Sequence, residues 1–186
     1  MAMTGTDSPH QENKSCVKNI DSTRPSAKTE FKPLSAEYDE DLAGLIRTLL
    51  KKYHLDIPGT AYYDESLDHL SEYYRVRPGI RAYDVLLKEG RLIGGIGIAE
   101  FPDFDHCCEL QKLYLDEGVQ GQGIGYLMID HIEERARELG YKRMYLETHD
   151  NLQAAIHIYE KAGFRSIPRP ESVVHSTMNR FFIKDL

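Results

Sequence analysis

The segment that most restricts what this chain can become runs from Cys107 to Gly140. Cys107–Asp116 reads as a β-strand, and Gln120-Gly121-Gln122-Gly123-Ile124-Gly125 follows as a loop with three alternating glycines. Ile124, Leu127, Met128, Ile132, Ala136 and Leu139 then recur at helical spacing, Glu133 and Arg137 can pair one turn apart on the wet side, and Gly140 supplies a C-terminal stop. A strand that feeds a helix through such a loop is a ready-made anion site. The first amides of a helix have no intrahelical partner, and the helix dipole adds partial positive charge there. Glycines at 121, 123 and 125 remove side chains that would hold a pyrophosphate away from those amides. The bland alternative is a tight strand-to-helix turn that binds nothing.

Around this segment the remaining elements can be read in order. Thr29–Leu34 suggests a short first strand, with Pro33 placing it at an edge or an end. From Ser35 the pattern turns helical: Ser35 can cap, acids crowd the first turn, and Leu42, Leu45, Ile46, Leu49 and Leu50 form one stripe. Pro58-Gly59 breaks the chain, and a second amphipathic helix is expected over Asp64–Arg75. Arg81–Leu87 and Arg91–Ala99 read as strands joined by the turn Lys88-Glu89-Gly90. After the glycine loop and its helix, Lys142–Thr148 is a strand, Asn151–Ala162 a helix ended by Gly163, and Phe164–Ile167 and Asn179–Ile183 the last strand segments. This order predicts a three-layer α/β or α+β domain.

Length and composition narrow the classes. A chain of 186 residues supports one domain with a real core, which we expect to span 29–186. Residues 1–28 are polar and without apolar periodicity, so they are expected to be a flexible leader. They contain no apolar h-region, and nothing later is long enough to cross a membrane as a helix. A net charge of −7 argues against nucleic acid as the main partner. Cys16, Cys107 and Cys108 make no disulfide framework, which fits a cytoplasmic location. Exposed strand edges leave a homodimer open.

Of two nucleotide-binding readings of the loop, one is disfavoured by its spacing and the other lacks its residues. A dinucleotide-binding unit needs G-x-G-x-x-G and an acid about 20 residues on. Glu147 stands near that place, but the third glycine comes one residue early and the unit lies close to the end of the chain. A Walker-type loop needs Gly-Lys-Ser or Gly-Lys-Thr, and neither occurs.

Leu113-Tyr114-Leu115 before the loop, the pattern Gln-x-x-Gly-x-Gly at 120, 123 and 125, and the segment Ala155-Ile156-His157-Ile158-Tyr159-Glu160-Lys161-Ala162-Gly163-Phe164 together resemble the GNAT acyltransferase superfamily. The match is strong over Glu109–Ile167; elsewhere only the order of elements agrees. The resemblance implies a mixed, mostly antiparallel sheet flanked by helices, with two strands splayed into a V. It implies an acetyl-CoA-dependent N-acetyltransferase that moves the acetyl group directly to a primary amine in a ternary complex. The alternative is a GNAT-fold module that binds acyl-CoA as a sensor or assembly partner.

The same resemblance assigns positions. The amides of Gln120, Gly121, Gln122, Gly123, Ile124 and Gly125 would hold the pyrophosphate, and Leu113, Tyr114 and Leu115 would offer backbone groups to the pantetheine arm as to an added strand. Tyr159 would lie near the thioester sulfur, as general acid for the departing thiolate. Glu109 resembles the strand glutamate that some members use as base, directly or through water, with Glu147 in reserve. Without a bulge, Glu109 would share a face with Leu113 and Leu115. Asn151 resembles an asparagine that reaches the pantetheine, but it stands one residue further from Tyr159 than is common, and a helix N-cap is the better-supported role. His106, Cys107, Cys108 and Glu109 look like a metal set, yet successive strand residues point to opposite faces, so no metal site is expected. A covalent acyl-cysteine is equally disfavoured, because no base stands beside either thiol. Acids at 37, 39–41, 64, 65, 68 and 72 would suit a cationic acceptor such as a polyamine, an aminoglycoside or a lysine peptide, though acids at helix starts are routine.

Overall fold

The computed structural model describes residues 28–173 and 177–186, so the expected leader lies, apart from Lys28, outside the described residues. Seven strands form one sheet: β1 (Thr29–Pro33), β2 (Ala82–Lys88), β3 (Arg91–Glu100), β4 (Cys107–Leu115), β5 (Arg143–Thr148), β6 (Arg165–Ser166) and β7 (Arg180–Asp185). Their spatial order is β1-β2-β3-β4-β5-β7-β6. Every pair is antiparallel except β4 with β5. That pair is parallel because helix α3 (Ile124–Glu138) carries the chain back between them. The proline-bearing first strand sits at the sheet edge, where a missing amide is tolerated.

Strand alternation sends residues to two cores. On one face, α1 (Asp39–Lys52) and α2 (Leu70–Arg75) place Leu42, Ile46, Leu50, Leu70 and Tyr74 against Tyr83, Val85 and Leu87 of β2. On the other, α3 and α4 (Gln153–Lys161) place Met128, Ile129, Ile132, Ala136 and Ile156 against Leu86, Ile93, Ile96, Ile98, Met144 and Leu146. Each fully buried aliphatic side chain contributes about 1.5–3 kcal/mol, so these two faces carry the domain.

Four expectations are corrected. The first helix begins with a 3-10 turn, Ala36–Tyr38, and the Ser35 hydroxyl bonds the Glu37 carboxylate at 3.0 Å instead of capping a backbone amide. The second helix splits into a 3-10 segment, Glu65–His69, and a short α2, because His69 leaves helical geometry at φ −134°. In α3, Leu127 faces solvent at 47% exposure and Ile129 takes its place in the core. Glu133 does pair with Arg137 at 3.2 Å, but it is buried at 4% exposure, and Lys184 of β7 also bonds it. A buried carboxylate needs such compensation, which is why two cations meet it.

Candidate active site

The sheet opens where β4 and β5 part. Cys107, Cys108 and Glu109 pair with Arg143, Met144 and Tyr145, and the ladder stops there. Beyond Glu109 the strands diverge into the expected V, and a cleft of about 470 Å³ fills it. Glu109, Gln111, Leu113, Tyr114, Leu115, Gln120, Gly121, Gly123, Gly125, Glu147 and Tyr159 all line this cleft. One continuous opening therefore contains the loop, the strand and the carboxylates picked out from the sequence.

The loop has the conformation an anion site needs. Gly121 and Gly123 adopt φ of +74° and +79°, a region that side chains disfavour, and Gly123 is the residue before α3. A Cβ on either would meet open space. The Gln120 amide, expected to join the loop's donors, is taken by Glu117 O at 3.2 Å, whereas from Gly121 to Gly125, among the described residues, no backbone amide donates to a backbone carbonyl. Gln120 and Gln122 hold the loop's shape, their side-chain amides donating to Leu115 O at 2.9 Å and Gly118 O at 3.3 Å. Ile124, the first residue of α3, packs against the core. A row of unused amides at a helix N-terminus fits a pyrophosphate by hydrogen bonding and by dipole.

Tyr159 is 5% exposed, packed edge-on to Phe164 with ring centroids 5.9 Å apart, and borders the cleft. Burial pushes its hydroxyl well above the usual tyrosine range, so it keeps its proton at neutral pH. Tyr114 is shifted the same way by burial.

Strand β4 departs from regular pleating at Lys112, where φ is +50° and the register against β3 slips between Gly95–Tyr114 and Gly97–Gln111. This bulge removes the condition for Glu109 to share a face with Leu113 and Leu115. Leu110, Leu113 and Leu115 pack with the α3–α4 core, whereas Gln111 bonds Tyr74 on the α1–α2 face at 2.9 Å. Glu109 accepts from Gln111 Nε2 at 2.6 Å and belongs to that second face. Glu147 accepts from the Tyr145 hydroxyl at 3.4 Å.

Asn151 neither caps nor lines the cleft. The residue before α4 is Leu152, and the Asn151 side-chain amide donates to Tyr53 O at 2.8 Å, tying the end of α1 to the β5–α4 turn. Cys107 packs with Phe101, Tyr145 and Phe181, and Cys108 in the opposite core. Burial pushes the Cys107 thiol up to about 11 and Cys108 further, so neither is a ready nucleophile.

Sequence reasoning missed the groups that shape β4. Lys112 Nζ pairs with Asp64 at 2.6 Å, and the Tyr83 hydroxyl donates to Lys112 O at 2.8 Å. One signal was available: Gly94-Gly95-Ile96-Gly97 inside a strand marks close approach by another group.

Comparison with known proteins agrees with this geometry. The acetyltransferase (GNAT) family matches residues 45–164, more than half of the chain. The uncharacterized N-acetyltransferase YjgM of Escherichia coli (strain K12) is 38% identical over 136 residues, covering 72% of this chain and 80% of that protein. In fold, a GNAT-family acetyltransferase of Staphylococcus aureus Mu50 superposes with a TM-score of 0.75 at 22% identity, over 85% of this chain and 99% of that one. The PaiA N-acetyltransferase of Thermoplasma acidophilum, solved with coenzyme A, superposes with a TM-score of 0.67 at 19% identity, over 86% and 99% of the two chains. With the splayed strands, the glycine loop and the buried tyrosine in place, the chain belongs to the GNAT acetyltransferase family.

Proposed function

We propose that this N-acetyltransferase moves an acetyl group from acetyl-CoA directly to a primary amine, with both held together in the β4–β5 cleft. The observation that carries this reading is the cleft itself, which joins unused amides at one side to Tyr159 and two carboxylates at the other. The amides of Gly121–Gly125 bind the pyrophosphate, and the backbone of Leu113–Leu115 receives the pantetheine along the edge that β5 has left. The catalytic domain runs over 29–186, and the free thiols of Cys107 and Cys108 suit a reducing cytoplasm as the place of reaction.

The thioester supplies an activated acyl group, so the protein needs no nucleophile of its own. Glu109 takes the proton that the attacking amine must lose, directly or through water. Tyr159 donates a proton to the departing sulfur. Its raised proton affinity keeps the acid form fully populated at neutral pH, and its packing against Phe164 fixes the direction of donation. Holding amine and thioester in one cleft supplies much of the remaining rate through orientation.

Tyr159→Phe is the test, because it removes one oxygen and keeps the packing. It should lower kcat at least about tenfold while leaving acetyl-CoA affinity within about twofold. Thiol release gives kcat and calorimetry gives affinity. An unchanged kcat would remove Tyr159 from the reaction. Slow hydrolysis of acetyl-CoA with no amine accelerating it would move the protein to a binding role.

A further inference from the structure

We propose that Gln111 is a positioning residue that orients the Glu109 carboxylate, and that the Tyr74 hydroxyl anchors the other end of the Gln111 amide. This inference rests on Glu109 acting as the base. The Tyr74 hydroxyl donates to Gln111 Oε1 at 2.9 Å, and Gln111 Nε2 donates to Glu109 Oε2 at 2.6 Å. An amide presents donors only at nitrogen and acceptors only at oxygen. The Tyr74 hydroxyl can donate or accept, so the choice of end is made by the carboxylate, which accepts only. The flipped amide would set oxygen against an ionised oxygen at the same short distance, so a single orientation survives.

Several residues otherwise without a role hold this relay. Tyr74 is 5% exposed and Tyr83 3%, with ring centroids 5.0 Å apart. Tyr83 secures the bulge by donating to Lys112 O, while Lys112 Nζ is held by Asp64. Both tyrosines lie against the glycines of β3. A Cβ at Gly95 would come within 2.6 Å of the Tyr83 ring, and one at Gly97 within 2.3 Å of that ring and 2.9 Å of the Tyr74 hydroxyl. The glycine run in β3 therefore makes room for the two rings. The rings in turn fix the bulge and the amide, and the amide fixes Glu109 at the mouth of the V.

Gln111 bonds Glu109, and Tyr73 and Tyr74 from α2, Tyr145 from β5, and Cys107 and Cys108 from its own strand are among the titratable groups close enough to feel its charge. Glu147 lines the same cleft, and Glu100 lies at the neighbouring end of β3. A donor to the ionised carboxylate favours that form. Loss of the Gln111 donor therefore raises the pH at which Glu109 gives up its proton, and it removes one of the contacts that set the direction of the carboxylate.

The experiment compares Gln111→Met, Tyr74→Phe and Glu109→Gln with the wild-type chain. Carbon-13 NMR of glutamate-labelled protein, with the Glu109 signal assigned by its absence in Glu109→Gln, reads the titration without any acceptor. Gln111→Met should move that titration up by about one unit, the size expected for losing one charge-assisted hydrogen bond. Tyr74→Phe should move it in the same direction by less. The acid limb of kcat/KM should follow, measured with whichever of spermidine, an aminoglycoside or a lysine peptide the wild-type chain acetylates. Acetyl-CoA affinity, read by calorimetry, should stay unchanged. If Gln111→Met fails to bind acetyl-CoA, Tyr74→Phe carries the test alone. If Glu109→Gln loses turnover but the titration and limb stay put in the other variants, the positioning role is overturned while the base stands. If Glu109→Gln turns over normally, the base assignment falls and the proposal falls with it.

Discussion

Replacing Gly123 with glutamate asks whether the loop binds phosphate, provided that backbone strain is separated from charge. Gly123 sits at φ +79°, and a Cβ there meets nothing within 4 Å. Any L-residue at this position therefore carries the left-handed penalty of about 1–2 kcal/mol, without a steric clash inside the protein. Gly123→Ala measures that penalty by itself. Gly123→Glu has the same penalty and adds a negative charge among the unused amides of Gly121–Gly125. Two unit charges 4 Å apart interact by about 4 kcal/mol at an effective dielectric constant near 20, and the exposed loop, screened by salt, should retain about half of that. A difference of about 2 kcal/mol corresponds to a loss of about 30-fold in acetyl-CoA affinity relative to Gly123→Ala. Both variants should melt at similar temperatures. Calorimetric titration with acetyl-CoA gives the affinities, and thermal unfolding checks the fold. If the Ala and Glu variants bind acetyl-CoA equally well, no phosphate lies against this helix start and the loop assignment is wrong.

Two further predictions concern the scaffold. Asp39 is buried, and its carboxylate accepts from Ser71 N at 2.9 Å and Ser71 Oγ at 2.6 Å, joining the start of α1 to the start of α2. Asp39→Ala strands both donors and should cost about 2–3 kcal/mol in thermal or urea unfolding, with acetyl-CoA affinity unchanged; a loss under about 0.5 kcal/mol would refute the tie. The Arg81 guanidinium, bonded at 2.8 and 2.6 Å, holds the Glu100 carboxyl at about 2, below its usual 4.5. A lowered carboxyl contributes stability that is complete above its unfolded value and lost as pH falls through 4.5 toward 2. After discounting for partial exposure, Glu100→Gln should remove about 1–2 kcal/mol at pH 7 and flatten the pH dependence of stability below pH 5. Unfolding curves that keep the wild-type slope there would exclude this pair as its source.

The local elements were legible in the sequence because they rest on local physics. The strand Cys107–Asp116, the helical stripe after Gly123 and the stop at Gly140 each depend on residues a few positions apart, and each forms close to where it was expected. The loop was legible for the same reason, since an anion site at a helix start needs only glycines in sequence and a helix behind them. Leu127 and Ile129 flank the buried Met128, each about 100° round the helix from it on opposite sides, and which flank counts as core is set by what packs there.

The arrangement of the catalytic candidates came from tertiary structure. Whether Glu109 faces the same way as Leu113 depends on one extra residue at Lys112, and that bulge is held by Tyr83, Asp64 and glycines from β3. Asn151 has the composition of a cap, yet its amide is taken by Tyr53, a residue far away in the chain. A single sequence fixes which groups are available and what local geometry they prefer. It does not fix which distant partner satisfies each buried donor or which face a bulged strand presents, because those are decided by contacts between elements that only the folded sheet brings together.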